Sequence, residues 1–87
     1  MHEQHLLDDL IEKIRAVAAA EGARSIAAVE VWLGALSHFS EEHFREHFGD
    51  AVRGTALANV RLAVTLSTDI HDTNANGIVL RNVVVEQ

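Results

Sequence analysis

The 87-residue sequence contains no cysteine and no proline, and only 5% of its residues are aromatic. The lack of cysteine excludes disulfides, thiolate zinc sites and cysteine nucleophiles. There is no apolar run of about 18 residues and no signal-peptide pattern, so we expect a cytoplasmic protein. Basic residues are scarce too: seven against thirteen acidic residues give a formal net charge of −6. That charge disfavours nucleic acid and anionic membrane as partners.

The sequence does contain enough apolar residues for one packed domain. Hydrophobic residues make up 48% and charged residues 23% of the chain, which is a normal globular balance. The length predicts a single domain over residues 1–87. A domain of this size buries only about 60% of its unfolded surface, so it would gain stability as a homo-oligomer.

Hydrophobic periodicity predicts two helices and three strands. Helical spacing of apolar residues covers residues 6–20 and 41–53, whereas alternation or β-branched residues mark residues 26–33, 60–66 and 78–85. The expected fold is α+β, with two helices packed on a three-stranded mixed β-sheet in the order α-β-α-β-β. The residues expected in the core are Leu7, Leu10, Ile11, Ile14, Val17, Ala18, Val29, Val31, Leu33, Phe44, Phe48, Ala51, Val52, Val60, Leu62, Val64 and Leu66.

Local signals predict where these elements begin and end. Gly22 is a C-terminal stop for the first helix. Ser40 is suited to N-cap the second helix, and Phe39 before it is placed to pack on Phe44. The polar segment "STDIHDTNANG", residues 67–77, ends in Asn-Gly, the commonest dipeptide of tight hairpins. We therefore expect the last two strands to be neighbours joined by a hairpin.

Part of this polar segment also matches a calcium-binding loop. "DTNANG", residues 72–77, fits the opening of an EF-hand loop, but Val83 stands where that loop needs a glutamate. A plain turn is the better interpretation.

The start of the chain, Met1-His2-Glu3, can form a metal chelate. The α-amine, the amide nitrogen of His2 and its imidazole Nδ1 can close fused rings around one metal, and Glu3 can add a further donor. Nitrogen-rich tetragonal sites of this kind favour Ni(II) or Cu(II). The alternative is that these residues are the frayed start of a helix.

Other histidines give weaker signals. His43 and His47 share a helix face at i, i+4, but a zinc protease motif needs a glutamate after the first histidine, and Phe44 is there instead. Solvated or packed histidines explain the pair. Ser37 and His38 are adjacent, which alone does not make a nucleophile–base pair, so an enzyme is not expected.

Three stretches together resemble the HypA/HybF family of nickel-insertion accessory proteins for nickel-iron hydrogenase. They are "MHEQHLLDDLIEKIRAVAAAEGA", "VEVWLGALS" and "VRGTALANVRLAV". The similarity extends over residues 1–66, and "GIVLRNVVVEQ" is similar to the family's closing strand. The resemblance implies a nickel metallochaperone that carries Ni(II) on Met1, His2 and Glu3. It also implies two partners, a HypB-type GTPase and the hydrogenase large subunit, with urease as the target in some organisms.

The chain departs from this family at two places. A zinc domain with two Cys-x-x-Cys pairs is normally inserted between the second and third strands, and here a short loop near residues 67–77 replaces it, so no zinc is expected. His38 also stands where the family often has glycine, beside the nickel site only if the fold brings that turn there. An alternative function is a metal-independent adaptor or assembly factor that kept the fold and docks a maturation partner or metalloenzyme.

Overall fold

The computed structural model describes the backbone of residues 2–86 and the side chains of residues 5–86. Its elements follow the predicted order α-β-α-β-β, and the sheet is mixed as expected. Neither described helix is long and apolar enough to cross a membrane. The elements are α1 (His2–Ala20), β1 (Ser25–Leu33), α2 (Glu41–Val52), β2 (Arg61–Leu66) and β3 (Ile78–Glu86).

The end of α1 confirms the role predicted for Gly22. This residue adopts the left-handed conformation, with φ +63°. Its N–H donates to the carbonyl of Ala19, and the N–H of Ala23 donates to the carbonyl of Ala18. These two bonds form a Schellman motif, which satisfies carbonyls that the helix leaves unpaired and turns the chain toward β1.

Strand β1 lies at the centre of the sheet, between β2 on one side and β3 on the other. It runs parallel to β2 and antiparallel to β3, so that Val31 lies beside both Val64 and Leu80. Val29, Val31 and Leu33 are at most 1% exposed, as their alternation predicts. The central strand therefore supplies the most deeply buried side chains of the sheet.

The predicted hairpin between β2 and β3 is wrong, because β1 separates these two strands. The connecting segment, residues 67–77, instead crosses the end of β1. The N–H of Ser67 donates to the carbonyl of Leu33, and the N–H of Gly34 donates to the carbonyl of Gly77, both at 2.9 Å. The segment is therefore tied at one end to Leu33, the last residue of β1, and at the other to Gly34, which follows it.

The dipeptide Asn76-Gly77 does not form the tight turn that its sequence favours. A type I′ turn needs positive φ at both central residues. In the described backbone positive φ occurs at Gly22, His38 and Gly54. The contacts of this segment with β1 thus override its local preference.

The core lies between the two helices and one face of the sheet. Three of the residues predicted to be buried are exposed: Ala51, Val17 (37%) and Leu66 (45%). Leu66 ends an edge strand, which has a neighbouring strand on one side only. The buried hydrophobic cluster comprises Leu7, Leu10, Ile11, Ile14, Val29, Val31, Leu33, Phe39, Phe44, Phe48, Val52 and Leu57.

Ser40 caps α2 as predicted, and its replacement by alanine is expected to destabilise the domain by about 1 kcal/mol. Its side-chain oxygen accepts a hydrogen bond from the N–H of His43 at 3.1 Å. For a domain of this size the loss corresponds to a fall of about 4–8 °C in melting temperature, measurable by circular dichroism. Ser40→Asp is the matched control, since aspartate also caps helices. Equal losses for both variants would contradict the capping role.

Candidate metal centre

Two of the predicted metal ligands, His2 and Glu3, belong to the first turn of α1. Met1 and the side chains of His2 and Glu3 lie outside the described residues, so their role as ligands stays a prediction. The backbone of α1 begins at His2. The first four N–H groups of a helix have no partner within the helix. The amide nitrogen of His2 can therefore be given to a metal without breaking a helical hydrogen bond.

A cleft of about 360 Å³ opens beside the first turns of α1. Three parts of the chain meet there. Helix α1 contributes Leu6, the β1–α2 turn contributes Leu36, Ser37 and His38, and the connecting segment contributes Asn76. The fold thus brings the turn that carries His38 to the end of the molecule where α1 begins.

Backbone hydrogen bonds fix the position of this turn. The N–H of Leu36 donates to the carbonyl of Ala75 at 2.7 Å, and the N–H of Ser37 donates to the carbonyl of Gly34 at 3.1 Å. Ala75 itself is buried, although it lies in a polar segment. The turn and the connecting segment therefore form one packed unit at the end of β1.

His38 adopts a conformation that costs energy. Its φ of +69° places it in the left-handed region, the only described non-glycine residue with positive φ. In that region Cβ is close to the following carbonyl, at a cost of roughly 1 kcal/mol for a residue other than glycine. Its side chain is exposed and so is free to reach another group.

Ser37, on the same turn, has an unusual buried hydroxyl. The residue is 2% exposed, and its Oγ has no hydrogen-bond partner among the described residues. A buried polar atom without a partner is uncommon and costs about 1–3 kcal/mol, which calls for a reason. Sequence reasoning did not single out Ser37 as a site residue, since no sequence pattern announces an unpaired hydroxyl.

The histidine pair on α2 forms a ring contact. The rings of His43 and His47 are 4.4 Å apart in an edge-to-face arrangement, and the ring of Phe39 lies 5.9 Å from that of His43. Within residues 5–86 no three histidine, aspartate or glutamate side chains come together as metal ligands. The pair therefore matches the packed histidines that sequence reasoning favoured.

The acidic residues of the connecting segment serve its own backbone. The carboxylate of Asp72 accepts a hydrogen bond from the N–H of Asn74 at 2.8 Å, and that of Asp69 accepts from the N–H of His71 at 2.9 Å. Such local bonds shape turns. They account for both aspartates without a calcium ion.

Comparison with known proteins shows to which family this sequence is similar. Residues 1–71 match the family model described as "Hydrogenase/urease nickel incorporation, metallochaperone, hypA". The chain is 35% identical over 66 residues to the hydrogenase maturation factor HypA of Prosthecochloris aestuarii, covering 76% of this chain and 58% of that protein. It is 34% identical over 64 residues to the HypA of Chloroflexus aggregans, covering 74% and 56%. The matched part is thus little more than half of the length of each relative.

A solved structure has the same fold. The solution structure of the Ni metallochaperone HypA from Helicobacter pylori superposes with a TM-score of 0.78, covering 99% of this chain and 98% of that chain. The two sequences are only 16% identical, so this match shows a shared fold and nothing more.

Proposed function

Because the chain belongs to the HypA family, we propose that it binds Ni(II) at its amino terminus and assists metallocentre assembly in a nickel-iron hydrogenase or a urease. The observation that carries the proposal is that the family match begins at residue 1 and so includes Met1-His2-Glu3. The relatives' names describe hydrogenase maturation. The protein would act as a carrier of nickel, with no reaction of its own to catalyse.

The position of His2 as the first residue of α1 supports the chelate. Binding through the amide of His2 requires that nitrogen to lose its proton. The amide lies at the positive end of the helix dipole and has no helical partner, and both features favour deprotonation. The α-amine and the imidazole complete three nitrogen donors, a set that suits square-planar Ni(II). Glu3 supplies a carboxylate as a further ligand.

A protein that delivers nickel needs other proteins as partners. We propose a HypB-type GTPase and the hydrogenase large subunit as the partners, in the cytoplasm. A terminal chelate is suited to this exchange, because a partner's ligands can displace its donors one at a time.

We propose that nickel binding here does not depend on zinc. The chain has no cysteine, so it cannot form the two Cys-x-x-Cys pairs that hold zinc in the family. Between β2 and β3 it has the connecting segment, whose ends are held by β1. The three proposed nickel ligands, Met1, His2 and Glu3, are consecutive in the sequence, so their spacing depends on no second metal.

His2→Ala is expected to abolish tight nickel binding. Loss of a group that only orients a ligand costs about 10- to 100-fold in metal affinity, so loss of the ligand itself should cost about 100-fold or more. Isothermal titration of untagged protein with Ni(II), followed by visible absorption, measures affinity, stoichiometry and geometry. The native protein should bind one nickel per chain with the spectrum of a square-planar site.

Two further proteins make this test decisive. A short extension before Met1 removes the free amine from its position and should abolish binding as His2→Ala does. His43→Ala is the matched control, an exposed histidine on α2, and should bind nickel like the native protein. Nickel binding that survives both changes at the terminus would overturn the proposed site. Negligible nickel affinity of the native chain would favour a metal-independent adaptor.

A further inference from the structure

We propose that the edge of β3 beside α1 is a docking site for an extended segment of a partner protein. The segment would add to the sheet as a fourth strand and place a carboxylate on Lys13. A groove of about 530 Å³ opens there, lined by Lys13 and Val17 of α1 and by residues 78–80 of β3. We call it the α1–β3 groove. No part of this proposal depends on nickel, so it goes beyond the proposed function.

The backbone of β3 offers unused hydrogen-bonding groups to this groove. Among the described strands, β3 pairs with β1 alone. In an antiparallel pair, residues that direct their N–H and C=O groups to the partner strand alternate with residues that direct them away. The N–H of Gly34 donates to the carbonyl of Gly77, so Gly77 and, two residues later, Val79 face β1. Ile78 and Leu80 therefore direct their backbone groups to the free edge, where a peptide can pair with them.

Val17 gives the groove an apolar wall that the fold leaves uncovered. It follows Leu10 and Ile14 on one face of α1, and both of these residues are buried. Val17 is 37% exposed, although the same pattern predicts its burial. Helix α1 packs mainly on β3, and within residues 5–86 no further strand lies beyond β3 to cover Val17. A strand added at this edge would remove the valine from water, which favours binding.

Lys13 determines the charge that the docked segment should carry. It is the only lysine of the chain, and its exposed side chain forms no ion pair with another described residue. Arg81, the nearest cation on β3, is engaged elsewhere, because its guanidinium lies 5.6 Å from the ring centre of Trp32. A carboxylate on the segment would pair with Lys13, whose long side chain can lie along the apolar groove. The expected occupant is thus an apolar extended segment with an acidic residue.

A second copy of this chain fits the edge less well than a foreign segment. The register of β3 against β1 slips by one residue at Arg81, which marks a β-bulge. Bulges on edge strands hinder edge-to-edge pairing between copies. Each copy also has a net charge of −6, so two copies repel each other. A short segment needs only the regular stretch that ends at Leu80, before the bulge.

Amide hydrogen exchange of the full chain tests the docking site. The probe is a short peptide of alternating valine and threonine with one glutamate, blocked at both ends. In the free protein the amides of Ile78 and Leu80 should exchange faster than that of Val79, which faces β1. Saturating peptide should slow both amides and leave those of β2, the other edge strand, unchanged. Equally slow exchange of all three amides before addition, or unchanged exchange after it, would overturn the proposal.

Lys13→Gln and Arg15→Gln form a matched pair for the charge. Both residues are exposed on α1, but only Lys13 lines the α1–β3 groove. Lys13→Gln should weaken binding of the peptide about two- to fivefold, the equivalent of a surface ion pair, and Arg15→Gln should bind it like the native chain. Equal affinities of the two variants would contradict the role of Lys13.

Light scattering without peptide distinguishes the partner segment from a second copy. We expect a monomer across the concentrations used for exchange. A dimer in which the amides of Ile78 and Leu80 are protected would make a second copy the occupant of the groove and overturn the proposed partner.

Discussion

Replacing Phe44 by alanine is expected to destabilise the domain by about 3–5 kcal/mol, one of the two largest effects we predict. Phe44 is 0% exposed and lies on the face of α2 that meets the sheet. Its ring contacts Phe39 edge-to-face at 5.5 Å and lies 5.9 Å from the ring of Phe48. Truncation removes this burial and leaves a cavity among rigid neighbours. Small domains have a total stability of about 5–15 kcal/mol, so the loss is a large share of it.

Urea unfolding followed by circular dichroism measures this loss as a lower midpoint. Leu66→Ala is the matched control, a truncation of a large apolar residue that is 45% exposed at the end of an edge strand. Surface substitutions usually stay within about 0.5 kcal/mol. Similar midpoints for the two variants would contradict the central position of Phe44 in the core.

The elements that sequence reasoning predicted correctly depend on short-range signals. The end of α1 at Gly22, the cap at Ser40 and the contact between Phe39 and Phe44 each involve residues at most five positions apart. The burial of alternate residues in β1 likewise follows from a period of two along one strand. Such features are determined by the local chain and need no knowledge of its partners.

The strand order could not be obtained in the same way. Asn76-Gly77 favours a hairpin locally, but the segment before β3 is held by hydrogen bonds to Gly34 and Leu36, about forty residues earlier in the chain. These long-range bonds accompany the pairing of β3 with β1, and both connect parts of the chain that are far apart in sequence. A local turn preference contributes less to the stability of the fold than the pairing of a whole strand, so the pairing decides the strand order.

The same distinction between local and long-range features applies to the candidate site. The chelating sequence Met1-His2-Glu3 could be recognised because its donors are consecutive, so their spacing alone defines the chemistry. The sequence could not show where the turn that carries His38 lies, since this depends on the turn, α1 and the connecting segment meeting at one cleft. The unpaired hydroxyl of Ser37 could not be predicted from the sequence, because it depends on the residues that surround it in the fold.

Gly34→Ala is expected to destabilise the domain by about 3 kcal/mol, because there is no space for a side chain at this position. A Cβ built on Gly34 would overlap the carbonyl oxygen of Ala75 and lie 2.5 Å from that of Asn74. Both obstacles are backbone atoms of the connecting segment, which cannot rotate away as a side chain could. The close approach also carries the hydrogen bond from Gly34 N–H to the carbonyl of Gly77. The methyl group would therefore push the connecting segment away from the end of β1.

The matched control is Gly49→Ala, for which we expect the opposite change in stability. Gly49 lies within α2, and a Cβ there meets nothing within 4 Å. Gly49→Ala should stabilise the domain by about 0.5–1 kcal/mol, because alanine favours the helix. Thermal unfolding of the two variants should shift the melting temperature down for Gly34 and up for Gly49. A rise for both would mean that Gly34 is not confined by the connecting segment.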